Sequence, residues 1–336
     1  RLLHGERVLS GSDSITAAGL YDGISLYVIK CTSRVVATAS TDKTAKLWCA
    51  ETGECLLTLE GHTDQVMSAC YSPDGQLLVT ASTDRTAKVW CGDSGECLLT
   101  LEGHVSPVYS AAFSPDGRLI ATSSHDRTVK LWKATSGDCV ITLSGHTRQV
   151  HTVAFSPDGR RLVTSSDDGT ARIWSIEQSK CEQALSGHTS AVYSAVFSPD
   201  GRMVATASMD STARLWDPDT GECQRTLVGH AEWLRSASFS PDSRRLVTTS
   251  GDSTAKVWDL DTGEIQFTLT GHADWLRNAV FSPDGQLIAT ASKDGTSKVW
   301  DAETGECRQT LGEHKAWVRS VSFSPAGRNQ PAGGGF

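Results

Sequence analysis

Histidine, serine and aspartate recur together in this sequence at fixed distances. The first full set is His62, Ser82 and Asp84. These residue types could form a hydrolase triad, in which the carboxylate orients a histidine that takes the proton of a serine nucleophile. Each set is followed by a tryptophan, here Trp90, and the whole set returns many times along the chain. A catalytic centre needs one such set, so we expect buried hydrogen-bond networks and no catalytic residue.

The sets share one order along the chain, and the last one combines residues from both ends. The members are His62, Ser82, Asp84 and Trp90; His104, Asp126 and Trp132; His146, Asp168 and Trp174; His188, Asp210 and Trp216; His230, Asp252 and Trp258; His272, Asp294 and Trp300; and His314 with Ser40, Asp42 and Trp48. The sequence contains no P-loop, nucleophile-elbow or His-Glu-x-x-His motif. We therefore predict no enzyme, no metal and no cofactor.

These sets lie on a repeat with a constant spacing of 42 residues between tryptophans. A fixed period near 40 residues indicates units that each bury their faces against neighbouring units. In the copy at 61–102, four β-rich runs at 66–71, 77–82, 86–90 and 97–101 are separated by turn sequences. Four short antiparallel strands in a radially repeated unit predict the blade of a β-propeller.

The tryptophan that marks each copy is followed by aspartate in Trp216-Asp217, Trp258-Asp259 and Trp300-Asp301. With these pairs and the Gly-His pairs, residues 34–327 resemble WD-repeat β-propellers. The resemblance implies an all-β, seven-bladed propeller that acts as a protein-binding scaffold. It also implies that aspartate and serine hold the imidazole of each set, and that the indole N–H ends the hydrogen-bond chain.

The last blade is expected to combine both ends of the repeat region. Residues 34–60 supply three strands, and residues 312–327 supply the missing first strand, which would remove the exposed sheet edges. An alternative is that residues 24–29, which lie in register with that strand, occupy the innermost position instead. Residues 328–336 are predicted to be a flexible tail.

Residues 1–33 do not follow the repeat. Residues 1–30 resemble the second half of ubiquitin, with matching strands around Leu3 and Leu9 and a final strand at 26–29. The resemblance implies a truncated ubiquitin-like (β-grasp) segment, followed by a short linker. The alternative is a divergent leader with chance similarity. Because the chain begins with Arg1 and not with methionine, we expect it to be a fragment of a longer protein.

The resemblance also implies a docking surface for peptides. In WD-repeat propellers, peptides commonly dock on the rim built by the innermost strands and by the loop before the conserved aspartate. By position, the candidate partner-binding residues are Trp233 and Arg235, Trp275 and Arg277, and Trp317 and Arg319, with Met67, Tyr109, His151 and Tyr193 from other copies. Tryptophan and arginine are enriched at interface hot spots. The alternative is that the last three copies share these residues through recent duplication.

Composition narrows the partner classes. The formal net charge of -8 disfavours nucleic acid, and no apolar stretch is long enough to span a membrane. We predict a protein or peptide partner, acidic or phosphorylated, within a multiprotein complex. Six of the ten cysteines share one repeat position, where another copy has Ile265, so we expect small buried residues there.

The cysteine pattern suggests a cellular compartment, and the fold leaves a second function open. Unpaired cysteines indicate a reducing compartment, cytoplasmic or nuclear. Fold alone does not fix function. The alternative function is a regulatory or substrate-recognition arm of a larger enzyme, such as a ubiquitin-ligase component or a signalling NTPase.

Overall fold

The computed structural model describes residues 34–312 and 314–325, together with three short strands near the N-terminus. Those strands are β1 (Leu2–His4), β2 (Arg7–Leu9) and β3 (Tyr27–Val28). They form an antiparallel sheet in the order β2-β1-β3. Most of residues 1–33 and all of 328–336 lie outside the described residues, so the ubiquitin-like segment and the flexible tail stay predictions.

The repeat region forms a ring of seven four-stranded antiparallel sheets, here called blades 1 to 7. The strands, in chain order, are β4 (Val35–Ser40), β5 (Ala45–Cys49) and β6 (Cys55–Leu59), which belong to blade 7; β7 (Val66–Tyr71), β8 (Leu77–Ser82), β9 (Ala87–Cys91) and β10 (Cys97–Leu101) in blade 1; β11 (Val108–Phe113), β12 (Leu119–Ser124), β13 (Thr128–Lys133) and β14 (Cys139–Ser144) in blade 2; β15 (Val150–Phe155), β16 (Arg161–Ser166), β17 (Thr170–Ser175) and β18 (Lys180–Ser186) in blade 3; β19 (Val192–Phe197), β20 (Val204–Ser208), β21 (Thr212–Trp216) and β22 (Cys223–Val228) in blade 4; β23 (Leu234–Phe239), β24 (Arg245–Ser250), β25 (Ala255–Asp259) and β26 (Ile265–Leu269) in blade 5; β27 (Leu276–Phe281), β28 (Leu287–Ser292), β29 (Ser297–Asp301) and β30 (Cys307–Leu311) in blade 6; and β31 (Val318–Phe323), again in blade 7.

The turn between the first two strands of a blade is fixed by its own side chains. In blade 2, the Ser114 hydroxyl donates to Asp116 Oδ1 at 2.6 Å, and the N–H of Leu119 donates back to Ser114 Oγ at 2.9 Å. Gly117 has a φ of 71°, a left-handed conformation that glycine adopts without a Cβ clash. The Ser-Pro-Asp-Gly sequence therefore stops one strand and starts the next, away from the rim that carries the histidines.

The hydrophobic core lies between blades and holds neighbouring sheets together. Trp90 of blade 1 packs with Leu47 and Leu59 of blade 7, and Trp48 of blade 7 packs with Leu311 of blade 6. All seven repeat tryptophans are at most 3% exposed. Since a buried tryptophan removes a large apolar area from water, these side chains are major contributors to blade packing.

Blade 7 is built from both ends of the repeat region. Strand β31 pairs with β4 in antiparallel register, with Val318 opposite Ser40 and Phe323 opposite Val36. Strand β31 therefore holds the innermost position, for which residues 24–29 were the alternative. Tyr27 and Val28 pair with β1.

Hydrogen bonds around the central channel join one blade to the next. The Ser68 hydroxyl of blade 1 accepts from the N–H of Ala111 in blade 2, and equivalent contacts at five further interfaces are accepted by Thr152, Ser194, Ser236, Asn278 and Ser320. These bonds satisfy backbone donors that face a neighbouring sheet and not a paired strand. They tie the inner strands into a ring in addition to the apolar packing.

The cysteine position on the outermost strands differs from the prediction. Cys97, Cys139, Cys223 and Cys307 are exposed, and Ile265 at the same position is 38% exposed. The prediction of small buried residues is therefore wrong for these copies, because the outermost strand of a blade is an edge with one face towards solvent. All described cysteines are free thiols. The described residues form no helix that could cross a membrane.

Candidate docking face at the axial mouth

Each blade contains a buried hydrogen-bond network that fixes the loop on its upper rim. In blade 3, His146 Nδ1 lies 2.8 Å from Asp168 Oδ2, so the ring N–H donates to the carboxylate. His146 Nε2 then accepts from the Thr164 hydroxyl at 2.8 Å, and the Thr164 oxygen accepts from Trp174 Nε1 at 2.9 Å. The same chain of contacts is present in all seven blades, including His314 with Asp42, Thr38 and Trp48 across the two ends.

The threonine in this chain takes the place that the sequence analysis gave to serine. Ser166 does not contact His146; its oxygen accepts from the N–H of Asp168, and its hydroxyl donates to the carbonyl of Arg148. Ser82 and Ser40 act in the same way. The assignment of the serine to the imidazole is therefore wrong: the side chain two residues earlier on the strand points towards the ring.

The aspartate of each network is saturated with donors. Asp168 accepts from His146, from the N–H of Thr147, and from both the N–H and the hydroxyl of Thr170. Burial raises the pKa of this carboxyl, but the hydrogen bonds from His146 and Thr170 outweigh burial and hold its pKa well below the usual range. A carboxylate of this kind stays charged and orders the rim loop.

This arrangement has the connectivity of a catalytic triad, with threonine in the place of the nucleophile. Two observations oppose that function. The threonines Thr80, Thr122 and Thr164 have no exposed surface, and their oxygens already accept an indole N–H. A nucleophile needs access to substrate and a free lone pair. The networks hold the blades in shape.

The upper rim surrounds the opening of the central channel, which we call the axial mouth. It is a cavity of 460 Å³ whose lining includes Trp233, Arg235, Trp275, Arg277 and Arg319. A deeper cavity of 270 Å³ continues along the channel and shares the three arginines. Residues from six blades, three or five positions after the network histidine, are thus brought to one opening, since every innermost strand starts at that rim.

Three tryptophans form the aromatic part of the mouth. Trp233 meets Trp275 edge to face, with ring centroids 5.2 Å apart. Lys293 lies over both Trp275 and Trp317, at 4.1 and 4.8 Å from the ring centroids. Trp317 is 38% exposed, and the other two are half-buried. None of the three is buried between blades, so they remain accessible to a partner.

The residue before the network aspartate contacts the tryptophan of the same blade in blades 5 and 6. A Cβ at Gly251 would lie 2.7 Å from Cε2 of Trp233, closer than atoms can approach. Glycine at this position lets the indole lie across the loop. In the next blade Lys293 occupies the equivalent position, stacks on Trp275 and pairs with Asp274 at 3.6 Å. Both positions therefore support the aromatic surface.

Three arginines form the basic part of the mouth, and each lies within cation–π distance of an aromatic ring. Arg277 lies 5.9 Å from the Trp275 ring and 5.6 Å from the Trp317 ring, and Arg319 lies 5.3 Å from Trp317. Blade 5 departs from the predicted Trp–Arg pairing, because Arg235 lies over Tyr193 of blade 4 at 4.4 Å. The Nε atoms of Arg277 and Arg319 are buried and have no hydrogen-bond partner.

The charges of the arginines affect one another. Burial, with repulsion from Arg235 and Arg319, lowers the pKa of Arg277 to about 9. Burial also lowers the pKa of Arg235 and of Arg319. Asp167 is the one acidic side chain on the described lining of the mouth, and it is held by His151 Nε2 at 2.6 Å. The described lining of the mouth therefore carries three arginines and one carboxylate, which leaves an excess of positive charge.

The remaining predicted residues come from blades 1 to 4. Tyr109 stacks on His125 with centroids 3.9 Å apart, and Tyr193 meets His151 edge to face at 5.0 Å. Met67 and His151 are only 6% and 7% exposed, so the prediction that they present an exposed surface is wrong for these two. They face the narrow channel. His125 was not predicted, although it holds the position before the aspartate that the family pattern singles out.

Comparisons with known proteins agree with this architecture. The family described as WD domain, G-beta repeat matches residues 53–91, 263–301 and 305–329. The chain carries WD40 repeats. A second family, described as the IFT122 first beta-propeller, matches residues 107–243 of the propeller. The seven-bladed all-β fold of the repeat region is thus supported by both sequence families and by the sheet topology.

Two curated relatives match a short part of this chain. Nuclear distribution protein PAC1 of Arthroderma benhamiae and the protein of the same name from Trichophyton verrucosum are each 39% identical over 70 residues. The match covers 21% of this chain and spans 15% of the length of each relative.

Proposed function

We propose that the protein is a non-catalytic interaction scaffold that docks a protein or peptide at the axial mouth. WD40 propellers are generally scaffolds of this kind, and the buried networks leave the rim rigid. The observation that carries the proposal is the concentration of three tryptophans and three arginines around one opening. Interfaces use these two residue types as energetic anchors.

The charge of the mouth supports an acidic or phosphorylated partner. Arg235, Arg277 and Arg319 line the opening and Lys293 lies over Trp275, whereas the protein as a whole carries a net charge of -8. A local positive field on an acidic protein steers acidic segments of a partner to that place. The acidic remainder of the surface repels the same segments. The half-buried indoles beside these cations would contact the apolar side chains of the same partner segment.

The proposal is tested by quantitative capture of partners on the immobilised protein. The double variant Trp275→Ala, Arg277→Ala should weaken the binding of each specific partner by about 2 kcal/mol or more, the range of interface anchors. The matched control is Val140→Ala, because Val140 is 43% exposed on an outermost strand of blade 2.

Two measurements decide the result. Partner binding must fall for the mouth variant and stay unchanged for the control. The melting temperature of both should remain near that of the unchanged protein, since Trp275 and Arg277 are only half-buried. Equal capture by the mouth variant and the control would contradict docking at this opening.

A further inference from the structure

Three arginines meet at the axial mouth. Arg235, Arg277 and Arg319 come from three neighbouring blades and line both the mouth and the deeper cavity. We propose that this site binds one phosphate monoester, presented by a phosphorylated side chain of the partner. This inference rests on the proposed docking function and specifies the group that the partner inserts.

The hydrogen-bond donors of the site are oriented and incompletely used. A guanidinium is planar, so stacking on an aromatic face leaves its N–H groups directed outwards around the ring edge. Arg235 lies over the Tyr193 ring at 4.4 Å, within range of such a contact, and Arg319 lies 5.3 Å from the centre of the Trp317 ring. The buried Nε donors of Arg277 and Arg319 have no acceptor in the protein, and a buried donor without an acceptor is costly. Both Nε atoms are closed off from solvent, so a ligand in the cavity would be bound by the terminal N–H groups of the arginines.

The number of arginines favours phosphate over carboxylate. A carboxylate has two oxygens and one negative charge, and one bidentate arginine can satisfy it. A phosphate monoester has three terminal oxygens and a charge of about −1.5 to −2 at neutral pH, so it can accept from three guanidinium groups at once. It would also relieve the repulsion through which Arg235 and Arg319 lower the pKa of Arg277.

The surroundings favour one anionic group over an extended polyanion. Asp167 lies on the mouth lining, and Asp274 lies beside Lys293 at 3.6 Å. Glu232 is exposed on the same rim. These carboxylates would repel the neighbouring charges of a long acidic run or a nucleic-acid backbone. A single phosphorylated residue with uncharged neighbours fits this charge distribution.

Phosphorus NMR of defined probes tests the proposal on the full chain. The probes are inorganic phosphate, O-phosphoserine, and a Gly-Gly-phosphoserine-Gly-Gly peptide with blocked ends. We expect saturable binding of each, with loss of at least about 10-fold in affinity in Arg277→Gln, the cost of one charge-assisted bidentate contact. Arg277→Lys keeps the charge but not the planar fork, and should also bind more weakly.

The controls separate a specific pocket from general charge effects. Arg118→Gln removes an arginine whose side chain is 85% exposed in the turn between β11 and β12, and should leave phosphate affinity unchanged. The same peptide with glutamate in place of phosphoserine, followed by calorimetry, should bind much more weakly. Equal affinity for the two peptides, or no effect of Arg277→Gln, would overturn the proposal.

The source of the phosphate is read from the same titrations. A phosphopeptide that binds more tightly than inorganic phosphate supports a phosphorylated protein partner, and equal affinity supports a small phosphate compound in the same pocket. Failure of this inference is distinguishable from failure of the docking function. If captured partners depend on Trp275 and Arg277 but are retained after phosphatase treatment, docking stands and the phosphate site is rejected.

Discussion

Replacement of Thr164 by valine tests the network that underlies every blade. Valine has nearly the same shape as threonine, so the change leaves no cavity but removes the hydroxyl. Trp174 Nε1–H then loses its acceptor and His146 Nε2 loses its donor, both inside the protein. Since Thr164 has no exposed surface, water cannot readily replace the missing contacts.

The expected loss follows from those two groups. A buried polar group without a partner costs about 1–3 kcal/mol, so with two such groups the variant should lose roughly 2–6 kcal/mol of unfolding free energy. Asp168→Ala should lose about 1–3 kcal/mol, because it leaves one ring N–H without its acceptor. The other donors to Asp168 lie on the rim, closer to solvent, where water can replace the carboxylate. The two changes act on the same imidazole, so the double variant should lose less than the sum of both.

Urea unfolding followed by tryptophan fluorescence measures these free energies. Thr142→Val is the matched control, since Thr142 is exposed on β14 and accepts from Lys130. That variant should change stability by no more than about 0.5 kcal/mol. If Thr164→Val is as stable as Thr142→Val, with equal m-values, the threonine does not link the histidine and the tryptophan energetically.

Three further predictions concern acid, closure and the aromatic surface. The network aspartates have lowered pKa values in the folded protein, with that of Asp210 at about 2, so their contribution to stability is complete above the unfolded value near 3.9 and is lost as the pH falls through the folded value. Unfolding free energies measured between pH 6 and pH 2.5 should therefore decline mainly below about pH 4, and a flat profile there would contradict this view. Deletion of residues 312–336 removes β31 and exposes the edge of β4, so light scattering should reveal aggregation, whereas a monomeric and equally stable product would be inconsistent with closure by β31. Gly251→Ala should displace Trp233 because of the 2.7 Å approach, seen as a changed fluorescence spectrum, while an unchanged spectrum would show that the loop absorbs the new methyl group.

Much of the fold can be predicted from the sequence because the sequence signals of a blade recur along the chain. The constant spacing of tryptophans, the turn sequences and the Gly-His pairs define the blades, and the complementary ends at 34–60 and 312–327 point to the closure that β31 and β4 form. The threonine of the network was missed, although it also recurs at a fixed distance. Thr164 follows His146 by 18 residues and precedes Trp174 by 10, as in the other copies. This threonine could not be recognised as a member of the network, because threonine is common in β-strands of any kind.

The features that sequence missed depend on packing around the axis and at the outer edge. Seven inner strands converge on one channel, where side chains of adjacent blades pack against one another. The exposure of a side chain at a given repeat position therefore differs from blade to blade. Met67 and His151 are buried there, whereas the equivalent Arg235 reaches a neighbouring blade and stacks on Tyr193. Such contacts depend on which residues stand in adjacent blades, and a single repeat does not contain this information.

The separation between framework and mouth explains how one fold can carry a specific site. The networks and interblade tryptophans occupy the same positions in all blades and are nearly fully buried, so they are not available for recognition. The mouth positions are adjacent to this rigid frame but differ from blade to blade, with Tyr109 and His125 on one side and Arg277 and Trp317 on the other. Because the frame fixes the start of every inner strand, substitutions at the mouth change charge and shape with little cost to the fold. The asymmetry of the mouth is therefore the property that separates this propeller from a ring of equivalent blades, and it supports the proposal that recognition lies on blades 5 to 7.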